Sequence, residues 1–216
     1  MFCRILTLFL LLPSLLSCRC FSTVIWDAGH GSPDGGSSGQ SGTLEKDITL
    51  NMALVAHEMS IFTGIASLLT RSDDEAIYSP GAETIRQKKV SDLQNRLSIA
   101  QTTENPIFVS IHTNAAAAGI GGLQVFYAPS ASSDVLGMAL TEEFSSHLNL
   151  QRVRQPAKAP NHVYLTRHLD CPAVIVEYGF ITNLREEGLF LQPSYRKKLA
   201  FLTLCGILKY MNYKGA

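Results

Sequence analysis

The sequence predicts an α/β domain built on a largely parallel sheet, and three observations carry that prediction. Short apolar runs alternate with helical patterns from residue 23 almost to the end. The chain has 216 residues, the size of one ordinary domain, and it shows no internal repeat. It is 46% hydrophobic and 17% charged, too apolar for a disordered chain and rich enough to build a core.

Residues 23–27 (TVIWD) read as the first strand, followed by a segment that holds six of the sixteen glycines between Gly29 and Gly42. Residues 44–62 place Ile48, Met52, Val55, Met59 and Phe62 at helical intervals. Residues 65–69 read as a strand, 83–103 as a more polar helix, and 106–112 (PIFVSIH) as a buried strand. A further strand is expected at 122–127 and a helix at 133–148, carrying Leu136, Leu140, Phe144 and Leu148. Residues 173–177 (AVIVE) form the last strand, and 194–211 close the domain as a helix with Phe201, Cys205 and Leu208 on one face. Segments 72–82 and 151–162 are rich in Pro, Ser, Asp or Gln and read as surface loops, too short for interdomain linkers.

Residues 1–20 read as an export leader. Arg4 supplies the positive start, residues 5–16 are almost pure Leu and Phe, and Ser17 and Ser22 are small residues near plausible cleavage points. The apolar run falls short of the roughly 20 residues a membrane span needs. Leu15-Leu16-Ser17-Cys18 resembles a bacterial lipobox, which makes Cys18 a candidate for a lipid anchor. The expected organisation is therefore a leader over 1–20 and one exported domain over 21–216. Lys+Arg and Asp+Glu both number 18, and setting aside Arg4 and Arg19 leaves 16 basic against 18 acidic groups. A domain that neutralises nucleic-acid phosphates carries a basic excess, so nucleic acid is not an expected partner. Cys171 and Cys205 are read as buried free thiols, and no C-x-x-C pair supports a thiolate metal site. Nothing suggests an obligate assembly, and a monomer is expected.

In an open parallel sheet, ligands bind beyond the carboxyl ends of the strands. Three strand ends here deliver titratable groups: His30 after the first, His112 on PIFVSIH and Glu177 on AVIVE. Glu45 lies three residues before Ile48, on the apolar stripe of its helix. A carboxylate turned inward needs a partner, and a cation would satisfy it. Two histidines and a carboxylate are a ligand set for catalytic zinc, which acidifies water and polarises a carbonyl. Glu177 has the right type and place to act as general base. Asp27 and Asp34 compete as carboxylates in the same region, and Asp27 is assigned to bracing the histidine loop. Asn114 is a candidate substrate contact, and Arg96 either pairs with a buried carboxylate or binds a peptide carboxylate. Gly35-Gly36-Ser37-Ser38-Gly39 formally matches a serine-hydrolase elbow but lies mid-loop, without the strand and helix that motif requires. His162 lies in a loop that could border the cleft, and His57 is expected to be solvated.

The strings DAGHG (27–31), LEKDITLN (44–51), LLTR (68–71), LQNRLSIA (93–100), FVSIHTNA (108–115) and PAVIVEYGFITN (172–183) resemble, in order and spacing, the zinc-dependent N-acetylmuramoyl-L-alanine amidases of the division and spore-cortex type. The resemblance implies a six-stranded, mostly parallel sheet with helices on both faces. It implies hydrolysis of the amide between N-acetylmuramic acid and the first L-alanine of the peptidoglycan stem peptide. It matches His30, Glu45 and His112 to the zinc ligands and Glu177 to the catalytic glutamate. With the leader, it places the enzyme in the cell envelope, acting on peptidoglycan, with an activator protein as a further expected partner. Two departures stand out. Ser32 replaces the second glycine after the first histidine, where only a small change in loop packing is expected, and 151–170 is too short for the inhibitory helix of many division amidases. RQKKVSDLQNR (86–96) resembles spore-cortex members. The competing expectations are a non-catalytic wall-binding protein on the same fold and a zinc peptidase acting on another wall bond.

Overall fold

Alternation of apolar residues with a period of two sets the centre of the sheet. β1 (Thr23–Ala28) sends Val24, Trp26 and Ala28 to one face and Ile25 and Asp27 to the other, all buried. The computed structural model describes residues 22–117, 119–130, 132–150 and 152–214, so the expected leader and Cys18 lie outside the described residues. After β1 come α1 (Glu45–Phe62), β2 (Ser67–Leu69), α2 (Ile85–Thr102), β3 (Pro106–Asn114), β4 (Gln124–Tyr127) and α3 (Ser133–His147). They are followed by β5 (Ala157–Lys158), α4 (Tyr164–His168), β6 (Ala173–Phe180), α5 (Leu184–Phe190) and α6 (Pro193–Lys214).

The sheet has six strands in the order β2-β1-β3-β6-β4-β5. β2, β1, β3 and β6 run parallel, while β4 pairs antiparallel to β6 and carries β5 with it. Helices cover both faces, as expected. One face packs Val24, Trp26, Ile107, Val109, Val174 and Val176 under α1, α3 and α6. The other packs Ile25, Phe108 and Ala173 under Leu97 and Ala100 of α2 and Leu165 and Leu169 around α4. No helix among the described residues is long and apolar enough to cross a membrane.

Two helical stripes differ from their sequence reading. α1 buries Ile48 and Met52 as predicted, but Phe62 at its end is 93% exposed. On α6, Phe201 and Leu208 face solvent, and the buried side is Leu199, Leu202, Leu204, Ile207 and Tyr210. The middle of α6, residues 199–208, is apolar nearly all round, so several stripes at helical spacing compete there and the pattern alone does not choose between them. β5 lies inside the 151–162 stretch read as a loop, and α4 and α5 are short helices in stretches the sequence left unassigned. Cys171 and Cys205 are free thiols, each half-buried rather than fully buried. Burial pushes the Cys171 thiol up to about 11.

Candidate metal centre

Strand register stacks the second face of the sheet in layers. Ile25, Phe108 and Ala173 form the apolar layer; one pleat further along, Asp27 pairs with Ser110, and Ser110 with Ile175. The next pleat pairs His112 with Glu177, and the ladder continues past β1 through the Gly29 amide donating to the Ile111 carbonyl. α2 and α4 cover the apolar layer and leave the last one open, so the strand-end residues picked from the sequence share one edge. Gly29 cannot be larger, because a Cβ there would collide with the His112 ring.

The glycine-rich loop delivers the remaining pieces. His30 has a left-handed backbone (φ 63°), and its ring packs edge-on to His112 at 5.0 Å between centroids. The first amides of α1 have no side-chain cap. Instead Glu45 and Lys46 donate their N–H groups to the carbonyls of Ser37 and Gly35, which locks the loop to the helix start. Glu45, 2% exposed, thereby points into the site. Its Oε2 lies 3.1 Å from His30 Nε2 and accepts the Ser37 amide, while its Oε1 lies 3.0 Å from His112 Nδ1 and accepts the Thr113 amide. Gly36 has φ 67°, and a Cβ on it would come within 2.7 Å of both Glu45 Oε2 and the His30 ring.

His30, Glu45 and His112 offer ligand atoms that all lie within 4.8 Å of one another, a donor set of two imidazoles and one carboxylate. Two further observations fit a divalent cation. Burial would push His30 down, yet hydrogen bonds to Asp34 and Glu45 and their charges outweigh it and raise it to about 9, so the site draws positive charge inward. Burial likewise opposes ionisation of Glu45, but its two histidine partners hold its carboxyl well below the usual range. Asp34 Oδ2 takes the other His30 nitrogen, Nδ1, at 3.1 Å, which leaves Nε2 facing inward. Asp34 is therefore a support for His30 and not a competing member of the trio.

Glu177 is half-buried. Its Oε2 is enclosed and has no hydrogen-bond partner among the described residues. Burial, and then the Glu45 charge, raise its carboxyl above the ordinary value against the pull of the two histidines. A carboxyl so placed takes and returns a proton more readily at neutral pH than an exposed one.

Beneath this layer Asp27 and Arg96 form a buried pair, Nη1 to Oδ1 at 2.6 Å. Arg96 also donates to Asp92, to the Ala28 carbonyl at 2.7 Å and to the His30 carbonyl at 2.6 Å. Asp27 thus braces the histidine loop through Arg96, and of the two uses expected for Arg96 the buried carboxylate is realised. Arg71, which the sequence reading left unassigned, adds bonds to the carbonyls of Ala28, Gly29 and Lys46. Two guanidinium groups thereby fix the carbonyls of Ala28, Gly29 and His30, where β1 ends and the histidine loop begins. Asn114 borders the open side of the site, its Oδ1 engaged by the Ala115 amide. Ser32 donates its hydroxyl to Asp74 at 2.8 Å, tying the histidine loop to segment 72–82. Ser37 meets Glu45 through its backbone and lies mid-loop, away from the end of β1 and the start of α1, so the strand–turn–helix context of a serine elbow is missing there. His57 is half-buried on Ser67 rather than solvated, and His162 is exposed while its neighbours Val163 and Tyr164 line the cleft.

The chain matches the N-acetylmuramoyl-L-alanine amidase family over residues 24–209. It belongs to that family. Among relatives of this amidase, the "Germination-specific N-acetylmuramoyl-L-alanine amidase" of Bacillus subtilis is 30% identical over 88% of this chain and 79% of its own. The amidase superposes on the CwlD amidase from Clostridioides difficile, solved in complex with the GerS lipoprotein, with a TM-score of 0.84 and 33% identity over 89% of this chain and 99% of that one. It also matches the amidase AmiC2 of Nostoc punctiforme with a TM-score of 0.75 and 27% identity over 88% and 97% of the two chains. The chain is thus a peptidoglycan amidase, of the class named for hydrolysis between N-acetylmuramic acid and L-alanine.

Proposed function

We propose that residues 21–216 form the catalytic domain of a zinc-dependent enzyme that cleaves the N-acetylmuramoyl-L-alanine amide with Glu177 as general base. His30, Glu45 and His112 hold the ion. When bound, zinc supplies Lewis acidity to the scissile carbonyl and acidifies water. Glu177 accepts the proton of the attacking water on its enclosed carboxylate and returns it to the leaving L-alanine amine. Asp34 holds His30 in the tautomer that presents Nε2, and Arg71 and Arg96 hold the loop that carries it. The observation that carries this reading is the meeting of the three ligands, at one strand edge, with a carboxylate whose Oε2 is enclosed and has no partner among the described residues.

The wall substrate and the apolar leader support an exported enzyme of the cell envelope, with Cys18 as the point of a lipid anchor. The GerS complex of the C. difficile relative supports an activating protein partner for what is otherwise a monomer. The test is a digest of purified peptidoglycan analysed by mass spectrometry. Zinc-loaded protein is expected to release stem peptides with an alanine amino terminus, chelation to abolish release, and zinc to restore it. Cleavage at another bond, or cleavage indifferent to chelation, would overturn the proposal.

A further inference from the structure

Two hollows share His30, His112 and Glu177 as lining, and the rest of their linings differ in kind. One is a slot of about 280 Å³ between α2 and α4, walled by Leu93, Val163, Tyr164 and Ile175. The other is a broad hollow of about 460 Å³ bordered by Gly36, Ser37, Thr113, Asn114 and Ala115. The bond assigned above joins two unlike parts. On one side is an amino sugar rich in hydroxyls and an N-acetyl group; on the other is a peptide that begins with a methyl side chain and continues with residues bearing carboxylates. Apolar walls suit methyl and methylene groups, and a lining of small polar side chains and loop backbone suits hydroxyls.

The charges at the slot sharpen the assignment. Arg96 reaches it but is 2% exposed and engaged by Asp27, Asp92 and two carbonyls. Apart from the site histidines, that leaves Lys89 as the cation with donors to spare among the described residues lining the slot. It is 59% exposed and borders both hollows, with Nζ 3.2 Å from Asp34 Oδ2. An ammonium has three donors, and Asp34 is already bound to His30 and to the Gly36 amide. An exposed pair of this kind is worth little, so sharing the ammonium with an incoming carboxylate costs little.

Resting on the amidase reading, we infer that the slot between α2 and α4 receives the stem peptide and that Lys89 at its mouth binds a peptide carboxylate, so that the enzyme selects stems whose second residue carries a free carboxylate. The test uses two soluble N-acetylmuramoyl-peptides that differ only in that group, free acid against carboxamide, with zinc-loaded full-length protein. Wild type is expected to favour the acid by about tenfold in kcat/KM, the difference lying in KM. Lys89→Ala should bring the ratio to about one, and Lys89→Arg should keep most of it. A wild type that cleaves both alike, or a Lys89→Ala variant that keeps the ratio or loses the same factor on both, overturns the inference and leaves the amidase reading standing. A wild type that cleaves neither removes the amidase reading and this inference together.

Discussion

The two faces of the sheet are built to different rules. Under α1, α3 and α6 the face is apolar from end to end: Val24, Trp26 and Ala28 on β1 match Ile107, Val109 and Ile111 on β3. Under α2 and α4 the apolar layer is one residue deep on β1 and β3, then gives way to Asp27, Ser110 and Arg96, then to the open site. The first face supplies the hydrophobic free energy of the fold. The second spends its depth on buried charge, which stabilises poorly for its cost but holds backbone in place. A site at strand ends needs both: a face that keeps the strands in register and a face thin enough to leave their ends reachable.

Substitutions should separate the two faces. The largest effect is expected from Glu177→Gln, which keeps shape and removes the base: kcat on peptidoglycan should fall about 10²–10⁴-fold with the melting temperature nearly unchanged, read by product release and calorimetry. On the apolar face the order reverses. Trp26→Ala removes a fully buried ring and the indole N–H that donates to Ser60, and should cost about 3–5 kcal/mol in urea unfolding while the folded fraction keeps its kcat.

Between these extremes lies the polar layer. Burial would raise Asp27, but Arg96 beside it and the hydrogen bonds from Ser110 and Arg96 outweigh that and hold its carboxyl below the ordinary range. A depressed carboxylate contributes stability that is present above its unfolded value, about 3.9, and is lost as pH falls through the lower folded value. Asp27→Asn should therefore cost about 3 kcal/mol near neutrality and flatten the acid limb of stability against pH, as checked by urea titrations from neutral pH downward. If the acid limb is unchanged, the Asp27–Arg96 pair is not what holds this layer. Ser32→Gly should have the smallest effect. It deletes one exposed hydroxyl bond to Asp74, and a loss of at most about 1 kcal/mol is expected in the same titration.

The same contrast explains what was legible in the sequence. His30, His112, Glu177 and Glu45 stood out because each is a titratable group where an apolar run or stripe predicts none. Asp27 and Arg96 were partly legible, since a brace was expected but its route through two carbonyls depends on side chains that meet across 69 residues. Arg71, at the end of LLTR and two residues past the strand read at 65–69, carried a similar signal, but its bonds to backbone carbonyls of another loop are visible only in the structure. Asp34 was legible as a carboxylate near the site, but its role shows only in its bond to His30; Lys89 lies in polar surroundings where a charge is ordinary, and only its approach to Asp34 marks it. The outward face of α6 differs from its sequence reading because the nearly uniform apolar stretch 199–208 gives no period to follow.

The central claim assigns three residues to the ion and a fourth to the proton. Equilibrium zinc titration of wild type, Glu45→Gln and Glu177→Gln, each followed by a peptidoglycan digest, tests it most directly. The account predicts one zinc per chain in wild type and in inactive Glu177→Gln, with affinity lost in Glu45→Gln. Full zinc affinity in Glu45→Gln, or loss of zinc in Glu177→Gln, would contradict it.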